Sequence, residues 1–325
     1  MTKQMSYREA IREAMAEEMA RDRQVVAIGE DIGRYGGCFQ VTQGLFEQFG
    51  PDQVIETPVS EEGLVGVAVG AAMMGMRPVV EVMYGDFSTL AADPLINHAA
   101  KMHFLSAGQL SIPLVYRTPM GSGTGAAAQH TQSLEALFTN IPGLKIVYPA
   151  TPADAKGLMK SAIRDPDPVI FLEHKLYGAQ GWVPNDGFLV PIGKADIKRQ
   201  GDDVTLITYG KTLFTALEAA RILEDDEISA EVLDLRSLRP LDVPAILASV
   251  QKTGRVVVIH EAPRFGGFSG EIIASIVQDP VAFKALKCPI ERVCGLDMPT
   301  PFNKQLELQL PPSSQRIVDT VLTMF

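Results

Sequence analysis

Two adjacent glutamates, Glu61 and Glu62, stand at the start of an otherwise uncharged stretch that is punctuated by glycine. Pro58 and Ser60 come just before them. Because proline ends an extended segment and serine is a preferred N-cap, we predict a helix from Ser60 to Gly75. Its residues are apolar nearly all round, which predicts a buried helix. Each carboxylate could do chemistry there or simply favour the positive end of the helix dipole, and the residues alone leave both interpretations open.

Three glycines of this helix, Gly63, Gly66 and Gly70, fall three and four residues apart and therefore line one face. Alanine would stabilise the helix better by about 1 kcal/mol per site. The spacing instead favours the close approach of a neighbouring backbone to that face.

A second candidate is the glycine-rich loop that runs from Gly121 to His130, with the sequence Gly-Ser-Gly-Thr-Gly-Ala-Ala-Ala-Gln-His. It resembles a dinucleotide-binding fingerprint only weakly, because its third glycine comes too early and no ribose-binding acid follows at the expected distance. His130 is either a proton-transfer group or a capping or core histidine. A nicotinamide dehydrogenase that uses this loop, and a non-catalytic scaffold, are alternatives from other classes.

Composition narrows the class of protein. The 325 residues carry 29 basic and 39 acidic side chains, a net charge of -10, which argues against a nucleic-acid surface. The cysteines are three, with no Cys-x-x-Cys pair, so neither a disulfide framework nor a zinc site is indicated. No targeting segment or apolar run of about 18 residues is evident, and we expect a cytoplasmic protein.

Short β-branched runs alternate with helical patterns along the chain, which is typical of parallel sheets covered by helices on both faces. We predict an α/β domain over residues 1–180, a linker over 181–201 and a second, smaller α/β domain over 202–325. The predicted strands of the first domain are Val25–Glu30, Pro78–Met83, Ile112–Arg117, Lys145–Pro149 and Pro168–Glu173. Its predicted helices are Tyr7–Arg21, Ser60–Gly75, Phe87–Ala107, Gln132–Phe138 and Pro152–Arg164, and Pro94 should kink or break the third of these.

Motifs along the whole chain resemble the β subunit of the thiamine diphosphate-dependent first component of 2-oxo acid and acetoin dehydrogenase complexes. They are Ile28-Gly-Glu-Asp31, Thr57-Pro-Val-Ser-Glu-Glu-Gly63, Ala127-Ala-Gln-His130, Ile141-Pro-Gly-Leu-Lys-Ile-Val147, Lys160-Ser-Ala-Ile-Arg-Asp165 and Asp234-Leu-Arg-Ser-Leu-Arg-Pro-Leu-Asp242. The resemblance implies a transketolase-type pyrimidine-binding domain followed by a transketolase C-terminal-type domain.

The same resemblance assigns roles to the candidate residues. Glu61 would hydrogen-bond the pyrimidine ring of thiamine diphosphate and favour the imino tautomer that takes the proton from the thiazolium ring, and Glu62 would be a helix-end charge. Met83 and Phe87 would pack on the pyrimidine ring, and His130 would exchange a proton near the reacting carbon. A monovalent cation such as K⁺ would bind at Ala162, Asp165 and Asp167.

The chain lacks the Gly-Asp-Gly and Asn-Asn elements with which such enzymes hold Mg²⁺ and the diphosphate. The resemblance therefore implies an α subunit that supplies this half-site in an α₂β₂ heterotetramer. It also implies a lipoyl-bearing acyltransferase core as a partner, with Phe325 as a candidate contact. Pyruvate is the favoured substrate, with acetoin and branched-chain 2-oxo acids as alternatives. The segments 126–135 and 172–177 look similar to those of family members that act on pyruvate and acetoin. This similarity argues against branched-chain substrates.

Overall fold

The computed structural model describes residues 2–185 and 187–325, which fall into two compact units. The first unit takes in the chain up to Met120 together with Leu137–Ile192, and the second takes in Gly121–Ala136 and Gly193–Phe325. The glycine-rich loop and His130 thus belong to the second unit, although the sequence places them inside a first domain of residues 1–180.

Up to Ile192 the chain alternates strands and helices much as predicted. In chain order the elements are β1 Thr2–Ser6, α1 Tyr7–Arg21, β2 Val25–Glu30, α2 Leu45–Phe49, β3 Val54–Thr57, α3 Glu61–Met73, β4 Arg77–Glu81, a 3₁₀ helix Gly85–Thr89, a π-helix Pro94–Ala99, α4 Met102–Leu105, β5 Val115–Met120, α5 Glu135–Thr139, β6 Lys145–Val147, α6 Pro152–Arg164, β7 Val169–His174 and β8 Gln180–Pro184.

Strands β6, β7, β5, β4, β2 and β3 lie side by side in that order, and all of them pair in parallel. The strands β2, β4, β5 and β7 are wholly or almost wholly buried, which explains their near-continuous apolar sequences. Parallel strands end at the same edge of a sheet. The segments that follow β3, β2, β4 and β5 therefore meet at one edge, which we call the carboxyl edge.

Helices α1 and α6 pack together on this sheet and frame the core of the first unit. The predicted capping box of α1 is present, with the Ser6 side chain and Glu9 each accepting from the other's backbone. Between the two helices runs a ladder of ion pairs that we call the α1–α6 seam. Its members are Glu13, Glu17 and Glu18 on α1 and Lys156, Lys160 and Arg164 on α6.

Two predictions about helices were wrong in part. The segment Phe87–Ala107 is not one helix but a 3₁₀ turn, a π-helix and a short α-helix, with Pro94 opening the π-helix because proline cannot continue an α-helix. Helix α3 is not buried all round, since Val67 is 64% and Met74 is 85% exposed. A Cβ built on Gly66 would meet nothing within 4 Å.

The second unit contains a further sheet in the order β14, β13, β10, β11, β9, in which only β9 is antiparallel to its neighbour. From residue 193 the elements are β9 Asp196–Arg199, β10 Val204–Thr208, α7 Thr212–Ile222, a 3₁₀ helix Leu223–Asp226, β11 Ala230–Asp234, β12 Ser237–Arg239, α8 Val243–Thr253, β13 Val256–Pro263, α9 Ser269–Gln278, α10 Pro280–Ala285, β14 Glu291–Gly295, α11 Lys304–Glu307 and α12 Ser314–Leu322.

The segment 181–201, predicted as a linker, contains most of β8 and all of β9. Asp186 in this segment lies outside the described residues. Strand β8 pairs with β1 in an antiparallel ribbon, which the irregular composition of this segment did not reveal. In the described part of the chain no helix has both the length and the apolar character that crossing a membrane requires.

Candidate active-site residues

Glu61 is the first residue of α3, and the structure encloses it. Its exposed fraction is 8%, whereas the neighbouring Glu62 is exposed to solvent. Ser60 takes the predicted N-cap position, but its side chain makes no capping hydrogen bond. A Cβ built on Gly63 would lie 2.7 Å from the Ser60 hydroxyl, so a larger residue at 63 would require that hydroxyl to rotate. The two glutamates that the sequence could not distinguish therefore have different environments.

A second buried carboxylate, that of Glu30, lies at the same helix entrance. It ends β2, and its Oε1 accepts the backbone N–H of Ser60 at 3.0 Å. Burial raises the pKa of Glu30, the Ser60 hydrogen bond opposes this, and the negative charge of Glu61 raises the pKa further. Glu30 is not among the site residues predicted from the sequence. The available signal was a charge at the end of an otherwise apolar, fully buried strand.

The wall beside these carboxylates is aromatic and carries hydroxyl groups. Tyr116 on β5 is fully buried, and its hydroxyl lies 2.7 Å from that of Ser88. Burial raises the pKa of Tyr116, and the charge of Glu61 adds to the effect. The buried hydroxyl of Thr57, at the end of β3, has no hydrogen-bond partner among the described residues. Such an unpaired group at the carboxyl edge is suited to a ligand.

Met83 and Phe87 lie on the segment that follows β4, so the fold brings them to the carboxyl edge that also carries Glu61. Both side chains are half-buried. The Phe87 ring packs edge-on against Tyr84 with 5.6 Å between centroids, and Tyr84 packs in the same way against Phe39 at 5.7 Å. This aromatic row fixes the segment and leaves part of Met83 and Phe87 accessible to a ligand.

A buried ion cluster ties together the strand ends under this edge. The guanidinium of Arg117, on β5, donates to both oxygens of Glu173 on β7 at 2.7 and 2.8 Å and also binds Glu81 on β4. Tyr177 donates to Glu173 as well. Burial raises the pKa of Glu81 even though Arg117 opposes the shift. These charge-assisted bonds hold three neighbouring strands in register where the site residues emerge.

His130 lies in the second unit, at the end of a loop held by carboxylates of that unit. Gly121, Gly123 and Gly125 have φ values of 84°, 111° and 72°, a region that favours glycine. The N–H groups of Gly123 and Gly125 donate to Glu307. In a dinucleotide-binding loop such N–H groups would face a phosphate, so this arrangement gives no support to a nicotinamide site.

The residues predicted to hold a monovalent cation lie at the end of α6 and already face positive side chains. The Lys145 ammonium lies 2.7 Å from Asp165 and 2.9 Å from Asp167, and Ala162 accepts the N–H of Asp165. Arg77 donates to the carbonyl of Asp165 at 3.4 Å. The structure thus favours Lys145 as the counter-ion of these carboxylates, and a K⁺ site there stays a prediction.

Comparison with protein families gives two matches. Residues 3–179 match the family described as "Transketolase, pyrimidine binding domain", and residues 193–317 match "Transketolase, C-terminal domain". Among solved structures, a chain described as "Split gene transketolase, inactive beta4 tetramer" aligns with a TM-score of 0.81 at 22% identity, over 98% of each chain. At this identity the structural match shows a shared fold.

Curated relatives align over nearly the whole chain. The pyruvate dehydrogenase E1 component subunit beta of Rickettsia bellii is 46% identical, covering 98% of this chain and 98% of that protein. The mitochondrial pyruvate dehydrogenase E1 component subunit beta-2 of Oryza sativa is also 46% identical, covering 97% and 85%. The 2-oxoisovalerate dehydrogenase subunit beta of Bacillus subtilis is 50% identical, covering 91% and 90%.

Proposed function

The chain belongs to the transketolase-like β subunits of the first component of 2-oxo acid dehydrogenase complexes, and on that premise we propose that it forms the pyrimidine-binding half of a thiamine diphosphate site. The resemblance and the fold class predicted from the sequence are both confirmed. The proposed reaction is oxidative decarboxylation of a 2-oxo acid with reductive acylation of a lipoyl group. The observation that carries it is the enclosed carboxylate of Glu61 at the carboxyl edge.

The residues at this edge fit the pyrimidine ring of the cofactor. A buried carboxyl group beside a second carboxylate and an unpaired Thr57 hydroxyl suits a polar heterocycle with ring nitrogens and an amino group. When bound, thiamine diphosphate supplies the electron sink for decarboxylation. Glu61 holds or shares a proton at the pyrimidine ring nitrogen, and Met83 and Phe87 orient the ring by apolar contact. His130 donates or accepts a proton during acyl transfer.

An α subunit completes the site in this proposal. Mg²⁺ is assigned mainly to that subunit, because the sequence has no Gly-Asp-Gly or Asn-Asn element. The exposed face of α3, with Gly66, Val67, Gly70 and Met74, is an apolar surface on which a partner backbone could pack closely. We propose an α₂β₂ assembly with this face inside it.

The C-terminus is the proposed contact for the lipoyl-bearing acyltransferase core. Arg255 donates to the Met324 carbonyl at 2.9 Å, and its guanidinium lies 3.9 Å from the centroid of the Phe325 ring. Phe325 is nevertheless 55% exposed. A residue that is anchored yet accessible can present its side chain to another protein without a large ordering cost.

Pyruvate stays the proposed substrate, with acetoin and branched-chain 2-oxo acids as alternatives. The comparisons give the sequence-based lean away from branched-chain substrates no support, because relatives named for pyruvate and for 2-oxoisovalerate are 46% and 50% identical. Initial rates of the co-expressed αβ complex with pyruvate, 2-oxoisovalerate and acetoin would identify the substrate.

The proposed role of Glu61 is tested with Glu61→Gln in the co-expressed αβ complex. General acid–base groups contribute about 10²–10⁴-fold, so we expect a loss of that size with an unchanged elution volume of the complex. Glu62→Gln is the matched control, because the adjacent carboxylate is exposed, and it should keep full activity. Equal activity of the two variants would contradict the proposal, as would tight NAD binding or turnover by the isolated chain.

A further inference from the structure

We propose that Glu307 is a positioning residue for His130, because it fixes the backbone of the glycine-rich loop from inside the second unit. Glu307 ends α11 and is 1% exposed. One of its oxygens accepts the N–H of Gly123 at 2.8 Å, and the other accepts the N–H of Gly125 at 2.7 Å. The catalytic consequence rests on the proposed function of His130, whereas the effect on the loop does not.

These two hydrogen bonds account for a buried charge. Burying a carboxylate is costly unless its oxygens are hydrogen-bonded, and here neutral amides do this. Turns that contain left-handed residues can direct several backbone N–H groups at one acceptor, and here Gly123 and Gly125 have φ values of 111° and 72°. The carboxylate and the loop conformation therefore depend on each other, and without Glu307 these amides would lose their shared acceptor.

The rest of the loop needs such an anchor. Ala127 has a φ of 62°, which is strained for a residue with a Cβ, and its carbonyl accepts from the Thr131 hydroxyl at 2.6 Å. The backbone N–H of His130 points to the same carbonyl at 3.4 Å. A strained conformation persists only when its surroundings hold it. The position of His130 thus depends on the anchor five residues earlier.

A second carboxylate holds the beginning of the loop. Glu261 on β13 accepts both the N–H and the hydroxyl of Ser122, each at 2.6 Å. Glu307 differs in that it holds two alternate amides of the turn itself. The stem of Lys304 also covers the turn, since a Cβ on Gly125 would lie 3.0 Å from its Cε. The short helix α11 thus acts as a clamp on the loop.

Amide hydrogen exchange on the full chain, co-expressed with its α subunit, tests the clamp without using activity. In the unaltered protein the amides of Gly123 and Gly125 should exchange at least tenfold more slowly than that of the exposed Thr124. In Glu307→Gln one acceptor oxygen becomes a donor that opposes an N–H, so exchange over residues 121–131 should rise about tenfold or more. Glu218→Gln, an exposed carboxylate on α7, is the control and should change nothing.

Kinetics then separate positioning from general stability. We expect Glu307→Gln to lower acyl transfer to a lipoyl domain at least tenfold more than it lowers decarboxylation measured with a dye as electron acceptor, as His130→Ala should. The double variant should transfer acyl groups no more slowly than His130→Ala alone.

The two proposals fail separately. Slow exchange that is unchanged in Glu307→Gln, or fast exchange of both glycine amides in the unaltered protein, would overturn the clamp whatever the activity. Faster loop exchange combined with normal acyl transfer in both Glu307→Gln and His130→Ala would leave the clamp in place and remove the catalytic role of His130.

Discussion

The α1–α6 seam and the carboxyl edge both hold buried or partly buried carboxylates in the first unit, but they surround them with opposite charges. At the seam, burial raises the pKa of Glu17, but hydrogen bonds from Lys156 and Lys160 outweigh it and the net shift is downward. At the edge, burial raises the pKa of Glu30, and the negative charges of Glu61, Asp31 and Glu81 raise it further. The seam carboxylates are paired with cations of the same chain, whereas Glu30 shares its environment with other carboxylates.

The difference distinguishes residues that stabilise the fold from residues that are placed to bind a ligand. Glu17 and Glu18, whose pKa values are lowered, contribute stability above their unfolded pKa and lose it as the pH falls through the folded value. Glu30, whose pKa is raised, contributes fully only below its unfolded pKa and loses this contribution as the pH rises through its folded value. The ionised Glu30 at the edge therefore lowers the free energy of unfolding near neutral pH, and packing elsewhere offsets this loss. Such destabilised groups are common at functional sites.

Among the variants that compare the edge with the seam, the largest effect is expected from filling the open face of α3 next to the carboxyl edge. A Cβ built on Gly70 would meet nothing within 4 Å, so we expect the isolated Gly70→Leu chain to be as stable as before or up to about 1 kcal/mol more stable. The αβ complex should fail to assemble and its activity should fall about 100-fold or more, as checked by size-exclusion chromatography and assay. Gly178→Leu, which also points into open space, is the control. Normal assembly of Gly70→Leu would show that this face is free.

Glu135 extends the comparison to the second unit. Like Glu30, it is a buried carboxyl group whose pKa is raised, and no cation within residues 2–185 and 187–325 lowers that pKa. It accepts from the Tyr209 hydroxyl, and burial raises its pKa to about 7. The destabilisation that its ionisation causes should therefore grow between its unfolded pKa of 4.5 and about pH 7. Above that pH it should amount to about 3 kcal/mol of unfolding free energy. Glu135→Gln keeps an acceptor for Tyr209, so it should be more stable than wild type by this amount at pH 8 and equal to it below pH 4.5.

Urea unfolding of Glu135→Gln and wild type, followed by circular dichroism at each pH, checks this value. Comparing the two at the same pH cancels the opposite contribution of His260, whose pKa burial lowers to about 4. A difference that does not grow between pH 5 and pH 8 would show that Glu135 is ionised in the folded protein.

Breaking the seam should cost less than an ordinary buried pair. The Lys156 side chain is 1% exposed, but its partners Glu13 and Glu17 are 26% and 36% exposed, so water screens the charges they keep. We expect Lys156→Ala to lower the free energy of unfolding by about 1–3 kcal/mol, less than the 3–5 of a fully buried pair. Lys3→Ala removes an exposed partner of the same Glu13 and should cost less than about 0.5 kcal/mol. Equal losses in the two variants would contradict the distinction.

The smallest effect is expected for Glu30→Gln. The amide oxygen can still accept the Ser60 N–H, and the repulsion from Glu61 disappears. The unfolding free energy at pH 8 should rise by about 1 kcal/mol or less, with no change at pH 4. Thermal unfolding at the two pH values measures this. A loss of stability at pH 8 would mean that the Glu30 charge supports the fold and that edge and seam are alike.

Much of the frame was predictable because its signals are local. The capping box at Ser6 and Glu9, the Pro-initiated helix α6 and the apolar strands β2 and β7 follow from spacing and propensity, and the structure has them close to the predicted bounds. The broken helix after Phe87 was indicated only in part, since Pro94 predicts a break but not the π-helix that follows it. Strands β1 and β8 were missed because each is defined by its distant partner.

The sequence by itself determined the alternating α/β order, the family motifs and the two candidate elements, the Glu61–Glu62 pair and the loop that ends at His130. Those features depend on residue type and short spacing. Only the tertiary structure decided that Glu61 is enclosed and Glu62 exposed, that Glu30 accepts the N–H of Ser60 next to Glu61, and that Glu307 accepts two N–H groups of the loop. Burial and charge environment arise from segments far apart in the chain, which local patterns do not record.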